Sequence, residues 1–256
     1  FHETPNMDRL AAEGMRFDNA YTAHPRCVPA RLGVMSGRYP ARYGIPGFQD
    51  RSEGPHALPL STVTFAERLQ EAGYRTGYIG KWHLGKQGGG PDVQGFDVSL
   101  FAGAAGAPGS YFLPYEKRRS GASAPSFPPY GGGDNGEYLT DRLTDEAIRF
   151  VDQAGDEPFL LVLAHYAVHT PIQARDETTD EYRARANEMG LKANWDEDLV
   201  VDRTGEVKTE QNHPVYAAMV DSVDENLGRL LGALDDKGVS DNTVVILTSD
   251  HGGLST

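Results

Sequence analysis

The residues with the clearest capacity for chemistry lie in the segment Cys27-Val28-Pro29-Ala30-Arg31. Cys27 is the only cysteine in the chain, and a lone cysteine is either a small buried apolar residue or a reactive thiol. Because Pro29 suits the first turn of a helix and Gly37 would end it, we expect a helix over 29–36 with Cys27 at its N-terminus. The helix dipole favours an anion there, and Arg31 brings a fork of donors suited to a tetrahedral oxyanion.

Three further polar groups each follow an apolar run that predicts a central strand. They are Lys81-Trp82-His83 after residues 74–80, His165 to Pro171 after Phe159–Ala164, and Asp250-His251 after Thr243–Thr248. In open α/β sheets, ligands bind at the carboxyl ends of the strands. The three strand ends and the helix start at Cys27 therefore predict one shared site.

The residue types at these strand ends suit the handling of an oxyanion and a metal ion. In an extended segment Lys81 and His83 would point the same way, and they offer a positive charge and a proton near neutral pH. Asp250 and His251 could bind Ca²⁺ or Mg²⁺, although histidine is a less usual ligand for either. Each pattern also has a structural interpretation, such as a surface lysine or an aspartate that caps a turn.

Four more histidines have less support from their neighbours. His165 lies at a strand end, where a structural role is at least as expected as a catalytic one. His24 precedes Cys27 by three residues and could either reach the site or pack the loop. His56 and His213 lie in predicted loops, where contact with a substrate is a guess.

The rest of the chain predicts an α/β fold with a largely parallel sheet flanked by helices. Apolar spacing and helix-ending glycines predict helices over Thr4–Gly14, Thr62–Ala72, Tyr138–Gln153 and Pro214–Leu234, and alternation predicts a strand over Met15–Tyr21. Thr4 is the expected N-cap of the first helix. The Gly- and Pro-rich residues 99–136 and the polar residues 173–212 are expected to be loop insertions.

Composition narrows the possible partners. The 256 residues can bury one large core, and no apolar run approaches the roughly 20 residues of a membrane span. The formal net charge is −13, which argues against non-specific nucleic-acid binding. A sulfate- or phosphate-bearing ligand would therefore need a local basic cluster or a metal ion.

Two motifs resemble the signatures of the type I sulfatases of the alkaline-phosphatase-like superfamily. The first is Cys27-x-Pro29-x-Arg31 with its Ser36-Gly37-Arg38 tail, and the second is Gly80-Lys81-Trp82-His83-Leu84-Gly85. The resemblance implies an alkaline-phosphatase-like α/β sandwich. It also implies that Cys27 is converted to formylglycine by a formylglycine-generating or sulfatase-maturating enzyme, and that the hydrated aldehyde is the nucleophile.

The same resemblance assigns roles to the other polar residues. Arg31, Lys81 and His169 would hold the sulfate, and His169 would also help to protonate the leaving alcohol. His83 would take a proton from the sulfated hydrate, so that sulfate leaves and the aldehyde returns. Asp250, His251 and the modified Cys27 would bind Ca²⁺, with Mg²⁺ as an alternative.

These resemblances predict a sulfatase that hydrolyses an organic, carbohydrate-borne sulfate ester and that is periplasmic or secreted. Residues 1–256 are expected to be its catalytic domain, incomplete at both ends, without the family's Asp-Asp strand and C-terminal part. If the chain were whole, we would expect weak or no activity. The alternatives are a phosphonate or phosphate diester hydrolase of the same superfamily and a non-catalytic fragment or binder of sulfated glycans. A thiol hydrolase would leave Arg31, Lys81 and Asp250 unexplained.

Overall fold

The computed structural model describes residues 1–44, 57–85, 89–119, 122–124, 133–134, 136–191, 199–202 and 205–253, so that His56 lies outside the described residues. The helices are α1 (Pro5–Glu13), α2 (Cys27–Ser36), α3 (Phe65–Glu71), α4 (Leu139–Gln153), α5 (Asp176–Glu188) and α6 (Pro214–Lys237). The strands are β1 (Arg75–Gly80), β2 (Val98–Leu100), β3 (Lys117–Arg119), β4 (Ala122–Ala124), β5 (Phe159–Ala164), β6 (Leu199–Asp202) and β7 (Gly205–Lys208). No helix in these ranges is long and apolar enough to cross a membrane.

A parallel sheet in the order β2-β1-β5 confirms the predicted α/β class. Gly77 in β1 is paired with Val98 on one side and with Leu161 on the other. The prediction that β5 is a central strand is wrong for the described part of the chain, where β5 forms an edge of this sheet. All three strands point the same way, so the segments that follow β1 and β5 emerge at the same edge.

Alternating side chains of β5 divide the core into two layers. Phe159, Leu161 and Leu163 pack against the cluster that contains residues of α4 and α6, whereas Leu160 and Val162 pack against the cluster that contains residues of α2 and α3. Burial of apolar side chains on both faces is the main driving force for this arrangement. As a result, α2 is fixed on one face of the sheet, close to the ends of the strands.

Two segments that the sequence predicts as strands are not strands in the structure. Thr243–Thr248 runs without ladder hydrogen bonds, and the exposed fractions of Val244 and Ile246 are 87% and 81%. Met15–Tyr21 is likewise unpaired, with Tyr21 88% exposed. Both segments have the composition of a strand, but a strand also needs a neighbour, and no described segment pairs with either one. Residues 243–248 nevertheless deliver Asp250 to the site.

The first helix is capped by a residue from the far end of the chain. The Thr4 side chain makes no capping hydrogen bond, so that prediction is wrong. Instead, buried Asp224 of α6 accepts hydrogen bonds from the backbone N–H groups of Asn6 (3.0 Å) and Met7 (2.8 Å) and from the Asn6 side chain (2.9 Å). A carboxylate at this position satisfies free N–H groups and opposes the positive end of the helix dipole.

The regions expected to be loops contain ordered structure within their described parts. Phe101, Tyr111 and Tyr115 are buried in the core, and α5 packs against α6. The sequence did not predict α5, because only Thr179, Tyr182 and Ala186 of its thirteen residues are buried and they form a weak apolar stripe. The hairpins β3–β4 and β6–β7 also fall in these regions.

We predict that Asp224→Ala lowers the free energy of unfolding by about 2 kcal/mol, because three N–H donors at the start of α1 lose their acceptor. Urea unfolding followed by circular dichroism measures the change. Asp236→Ala, at an exposed position of the same helix, is the matched control. Equal stability of the two variants would show that α1 does not depend on Asp224.

Candidate active site

Cys27 is the first residue of α2, as the sequence predicts, although the helix begins two residues before the predicted start. Gly37 ends the helix in the left-handed conformation (φ 65°), and its N–H donates to the carbonyl of Gly33 at 2.8 Å. The left-handed conformation favours glycine at this position. Because Cys27 is the first residue of the helix, its side chain lies at the positive end of the helix dipole.

Four basic side chains surround the Cys27 thiol. Lys81 Nζ donates to Sγ at 3.3 Å, and His251 Nε2 is 3.2 Å from Sγ. His83 and His169 also lie within hydrogen-bonding reach of the sulfur. These residues come from the ends of β1 and β5 and from the segment after residue 248, so the predicted convergence is observed even though Thr243–Thr248 is not a strand.

The surrounding side chains determine the protonation of Cys27. Burial alone would raise the pKa of the thiol, but hydrogen bonds from His169 and His83 and the charge of Lys81 lower it to about 4. The same hydrogen bond to Cys27 raises the pKa of His169 against the opposing effect of burial. The site therefore stabilises a negative charge on residue 27, and that charge in turn favours the protonated form of His169.

His169 is oriented by the next residue, Thr170. Its Nδ1 lies 3.0 Å from the carbonyl oxygen of Thr170 and 3.2 Å from the hydroxyl of the same residue. A donor on Nδ1 leaves Nε2 to face residue 27. This arrangement presents one ring nitrogen to the reacting group.

Arg31 is buried and its donors bind the chain itself. Its Nε donates to the carbonyl of Trp82 at 2.8 Å, its Nη2 to the carbonyl of Lys81 and the hydroxyl of Tyr78, and its Nη1 to Asp250 Oδ2 at 3.3 Å. Arg31 thus joins α2 to the segment after β1 and to Asp250. Its predicted contact with sulfate stays a prediction.

Asp250 is held in its ionised form. Burial would raise its pKa, but the charges of Lys81, with Nζ 3.8 Å from Oδ2, and of Arg31 outweigh that effect and lower it. A carboxylate that stays ionised at neutral pH can bind a hard cation.

The described residues that could hold a metal ion are those that the sequence predicts. Ligand atoms of Cys27, Asp250 and His251 all lie within 4.8 Å of one another. Ca²⁺ takes six to eight oxygen ligands, so this cluster fits a part of a calcium shell once residue 27 carries oxygen in place of sulfur.

His83 reaches the site by a different backbone path from the one predicted. Gly80 (φ 103°) turns the chain out of β1, and His83 is left-handed (φ 58°). The segment is therefore not the extended one that the expectation assumed. Both side chains still reach residue 27.

The weaker histidine candidates take other positions. His165 is not among the groups around the thiol; burial lowers its pKa to about 4, and its shielded Nδ1 has no hydrogen-bond partner among the described residues. His213 caps α6 by accepting from the N–H of Tyr216 at 3.2 Å. The pKa of His24 is lowered by burial and by the charges of Arg26 and His251, which places His24 at the margin of the cluster.

Two tyrosines that support the site were not predicted from the sequence. Tyr78 of β1 hydrogen-bonds with Arg31 and donates to the carbonyl of Lys81. Tyr111 donates from its hydroxyl to the carbonyl of His169 at 2.8 Å. Tyr78 lies in a run that predicts a buried strand, and Tyr111 lies in a segment that was expected to be a loop insertion, so neither was predicted as a site residue. The usable signal was the hydroxyl, which needs a partner when tyrosine is buried.

Comparison with known proteins identifies one family. The family model described as Sulfatase matches residues 1–255. An uncharacterized sulfatase of Escherichia coli, YdeN, is 34% identical over 98% of this chain and 43% of its own length. Human N-acetylgalactosamine-6-sulfatase is 30% identical over 98% of this chain and 45% of its own length. The chain thus spans less than half of these relatives.

The fold of this chain is also similar to that of solved structures. The crystal structure of Ps i-CgsB in complex with k-i-k-neocarrahexaose has a TM-score of 0.69 and 31% sequence identity. The match covers 93% of this chain and 51% of that one. The similarity therefore extends over nearly all of this chain and about half of the neighbour.

We predict that unmodified Cys27 reacts with iodoacetamide at a rate that changes less than about twofold between pH 6 and pH 8. A pKa of about 4 keeps the thiol deprotonated over that whole range. An ordinary thiol, with a pKa near 8.5, would gain about 80-fold. Mass spectrometry measures the rates, and the urea-unfolded chain is the control. A rate that rises through a midpoint near pH 8.5 in the folded chain would contradict the proposed electrostatics.

Proposed function

Because this chain belongs to the sulfatase family, we propose that it hydrolyses carbohydrate sulfate esters through residue 27, after conversion of Cys27 to formylglycine. The observation that carries the proposal is the group of basic side chains around Cys27 Sγ, with Lys81 Nζ at 3.3 Å and His251 Nε2 at 3.2 Å. Such a cluster suits an anionic ester in a protein whose net charge is −13.

The chain's own groups divide into those that hold the sulfate and those that move protons. In its hydrated aldehyde form, residue 27 would carry the hydroxyl that displaces the alcohol from sulfur. Lys81 and protonated His169 stabilise the charge that the sulfate oxygens gain. His169 gives its proton to the alcohol oxygen as the bond from sulfur to that oxygen breaks.

The second half of the reaction needs a base. We assign this role to His83, which takes the proton from the remaining hydroxyl of residue 27, so that the bond to sulfate breaks and the aldehyde re-forms. Water then rehydrates the aldehyde. Arg31 contributes by fixing the carbonyls of Lys81 and Trp82. We also propose that its guanidinium contacts the sulfate directly.

Asp250, His251 and an oxygen of modified residue 27 would hold Ca²⁺, with Mg²⁺ as the alternative. A cation there would draw electron density from the sulfate oxygens and favour ionisation of the attacking hydroxyl. The ligand atoms of these three residues lie within 4.8 Å of one another, which supports the assignment. Lys81 and Arg31 keep Asp250 ionised before a cation binds.

The substrate and partners are proposed from the relatives. One relative is named for N-acetylgalactosamine 6-sulfate chemistry, and one neighbour is solved with a neocarrahexaose. These names support a sulfated sugar as the substrate. A formylglycine-generating or sulfatase-maturating enzyme is the second partner, since residue 27 needs modification. We further propose that the protein acts in the periplasm or is secreted.

A phosphonate or phosphate diester hydrolase is the second candidate, because the nucleophile motif of the superfamily is shared between the two classes. A singly charged diester would use the same cations around residue 27. The two functions differ in which ester the matured protein prefers, so direct competition of the substrates separates them.

We predict that the matured protein releases sulfate from N-acetylgalactosamine 6-sulfate or an aryl sulfate faster than it cleaves bis-p-nitrophenyl phosphate. Cys27→Ala should lower sulfate release by at least about a thousandfold, because it removes the nucleophile. Intact-mass analysis verifies the conversion of Cys27, and circular dichroism verifies that the variant is folded. A preference for the diester would favour the second candidate, and activity in Cys27→Ala would refute the mechanism.

We predict that Asp250→Ala weakens Ca²⁺ binding by at least about tenfold, because the only carboxylate in the three-residue cluster is lost. Isothermal titration calorimetry with CaCl₂ on the matured protein measures the affinity, independently of activity. Asp236→Ala is the control for a general change in surface charge. Unchanged affinity in Asp250→Ala would place the cation elsewhere.

A further inference from the structure

We propose that the loop from Phe101 to Tyr115 positions both histidines of the site, His83 through Gly106 and His169 through Tyr111. The contacts are independent of any reaction. Only the catalytic consequence rests on the proposed function, in which these two histidines move protons.

Gly106 lies directly against the imidazole of His83. A Cβ at Gly106 would be 2.3 Å from Cε1 and 2.7 Å from each ring nitrogen of His83, distances that no side chain can adopt. The φ of Gly106 is not in the left-handed region, so its own backbone conformation does not require glycine. The need for glycine at this position comes from the histidine ring.

The loop also holds the backbone of His83. The N–H of His83 donates to the carbonyl of Gly103 at 3.0 Å. His83 is left-handed (φ 58°), an uncommon conformation for a residue with a side chain, and it needs support from its surroundings. The loop supplies that support at the backbone and at the ring.

Packing, rather than hydrogen bonding, limits the rotation of the His83 ring on one side. Its Nδ1 is shielded from solvent and has no hydrogen-bond partner among the residues that the structure describes. The Cys27 side chain also hydrogen-bonds to the ring. Contact with Gly106 therefore acts together with that hydrogen bond to keep the ring directed at residue 27.

The same loop supports His169 through Tyr111. The buried Tyr111 hydroxyl donates to the carbonyl of His169 at 2.8 Å, and the Tyr111 N–H donates to Gln173 Oε1 at 2.9 Å. Tyr138 stacks on Tyr111 with ring centroids 5.9 Å apart and donates to the carbonyl of Gln173 at 2.8 Å. The turn from His169 to Gln173 is thereby held along its length.

Both ends of the loop are fixed in the core. The carbonyl of Phe101 accepts from the Tyr166 hydroxyl at 2.9 Å, and the Arg142 guanidinium lies 5.6 Å from the Phe101 ring centroid. At the other end, Tyr115 donates from its hydroxyl to Glu137, which also pairs with Arg142 at 3.2 Å. A loop anchored at both ends can transmit its position to the side chains that it contacts.

The kinetic test is a double-mutant cycle on the matured protein with Gly106→Ala, His83→Ala and the double variant. We expect Gly106→Ala to lower kcat about 10- to 100-fold with KM changed less than about threefold, because the ring is displaced. In the His83→Ala background the second change should have no further effect. Additive effects, or full activity of Gly106→Ala, would overturn the role of Gly106. Gly232→Ala, whose added Cβ has nothing within 4 Å, is the matched control.

Tyr111→Phe tests the proposed support of His169, since it removes only the hydroxyl that binds the carbonyl of His169. We expect a severalfold loss of kcat that disappears in a His169→Ala background. A loss that persists there would mean that Tyr111 acts on the core and not on His169. Thermal unfolding of each variant checks that the fold is retained.

An NMR readout separates this inference from the proposed function. At a fixed pH, the Cε1–H resonance of His83, assigned by its absence in His83→Ala, should shift in Gly106→Ala and stay in place in Gly232→Ala. If the wild-type protein releases no sulfate, the proposed function is wrong, but the NMR result still tests whether Gly106 packs against the His83 ring. An unchanged His83 resonance in Gly106→Ala would overturn the inference whatever the activity.

Discussion

The buried guanidinium of Arg31 joins three of the four segments from which the site is built. It binds the carbonyls of Lys81 and Trp82 after β1 and the carboxylate of Asp250 from the end of the described chain, while its own backbone belongs to α2. A guanidinium can be buried only when its donors are satisfied, so this geometry is strongly specified. Its consequence is that Lys81 and Asp250 both meet residue 27 at the helix N-terminus.

The site is locally positive although the protein as a whole carries a large negative net charge. A protein with a formal charge of −13 repels anions at long range, yet Lys81, His169 and the start of α2 form a locally positive site. Lys81 Nζ lies 3.3 Å from Cys27 Sγ and 3.8 Å from Asp250 Oδ2, so its single positive charge acts on both groups. Attraction of an anion is therefore confined to the site, where short distances and burial make charge effective.

The parts that the sequence could predict are those determined by local pattern. Pro29 and Gly37 predicted α2, and the apolar run Phe159–Ala164 predicted β5. The rule that ligands bind at strand ends brought Lys81 and Asp250 to Cys27. The parts that it missed depend on distant partners: Asp224 caps α1 from 217 residues along the chain, and Thr243–Thr248 has strand composition without a described neighbour. Gly106 against His83 is of the same kind, because nothing local to either residue marks the contact.

The depressed pKa of Cys27 connects the unmodified site with the proposed chemistry. As a thiolate, residue 27 is itself the anion that Lys81 and the imidazole of His169 stabilise. A hydrated aldehyde at the same position is neutral, so conversion would release these groups for the oxygens of an incoming sulfate. Asp250 would stay ionised in either form, since Arg31 lies within 3.3 Å of it and keeps its charge. A site that lowers the pKa of a thiol to about 4 is thus, by the same electrostatics, a site for an anionic ester once the thiol is replaced by a neutral hydroxyl.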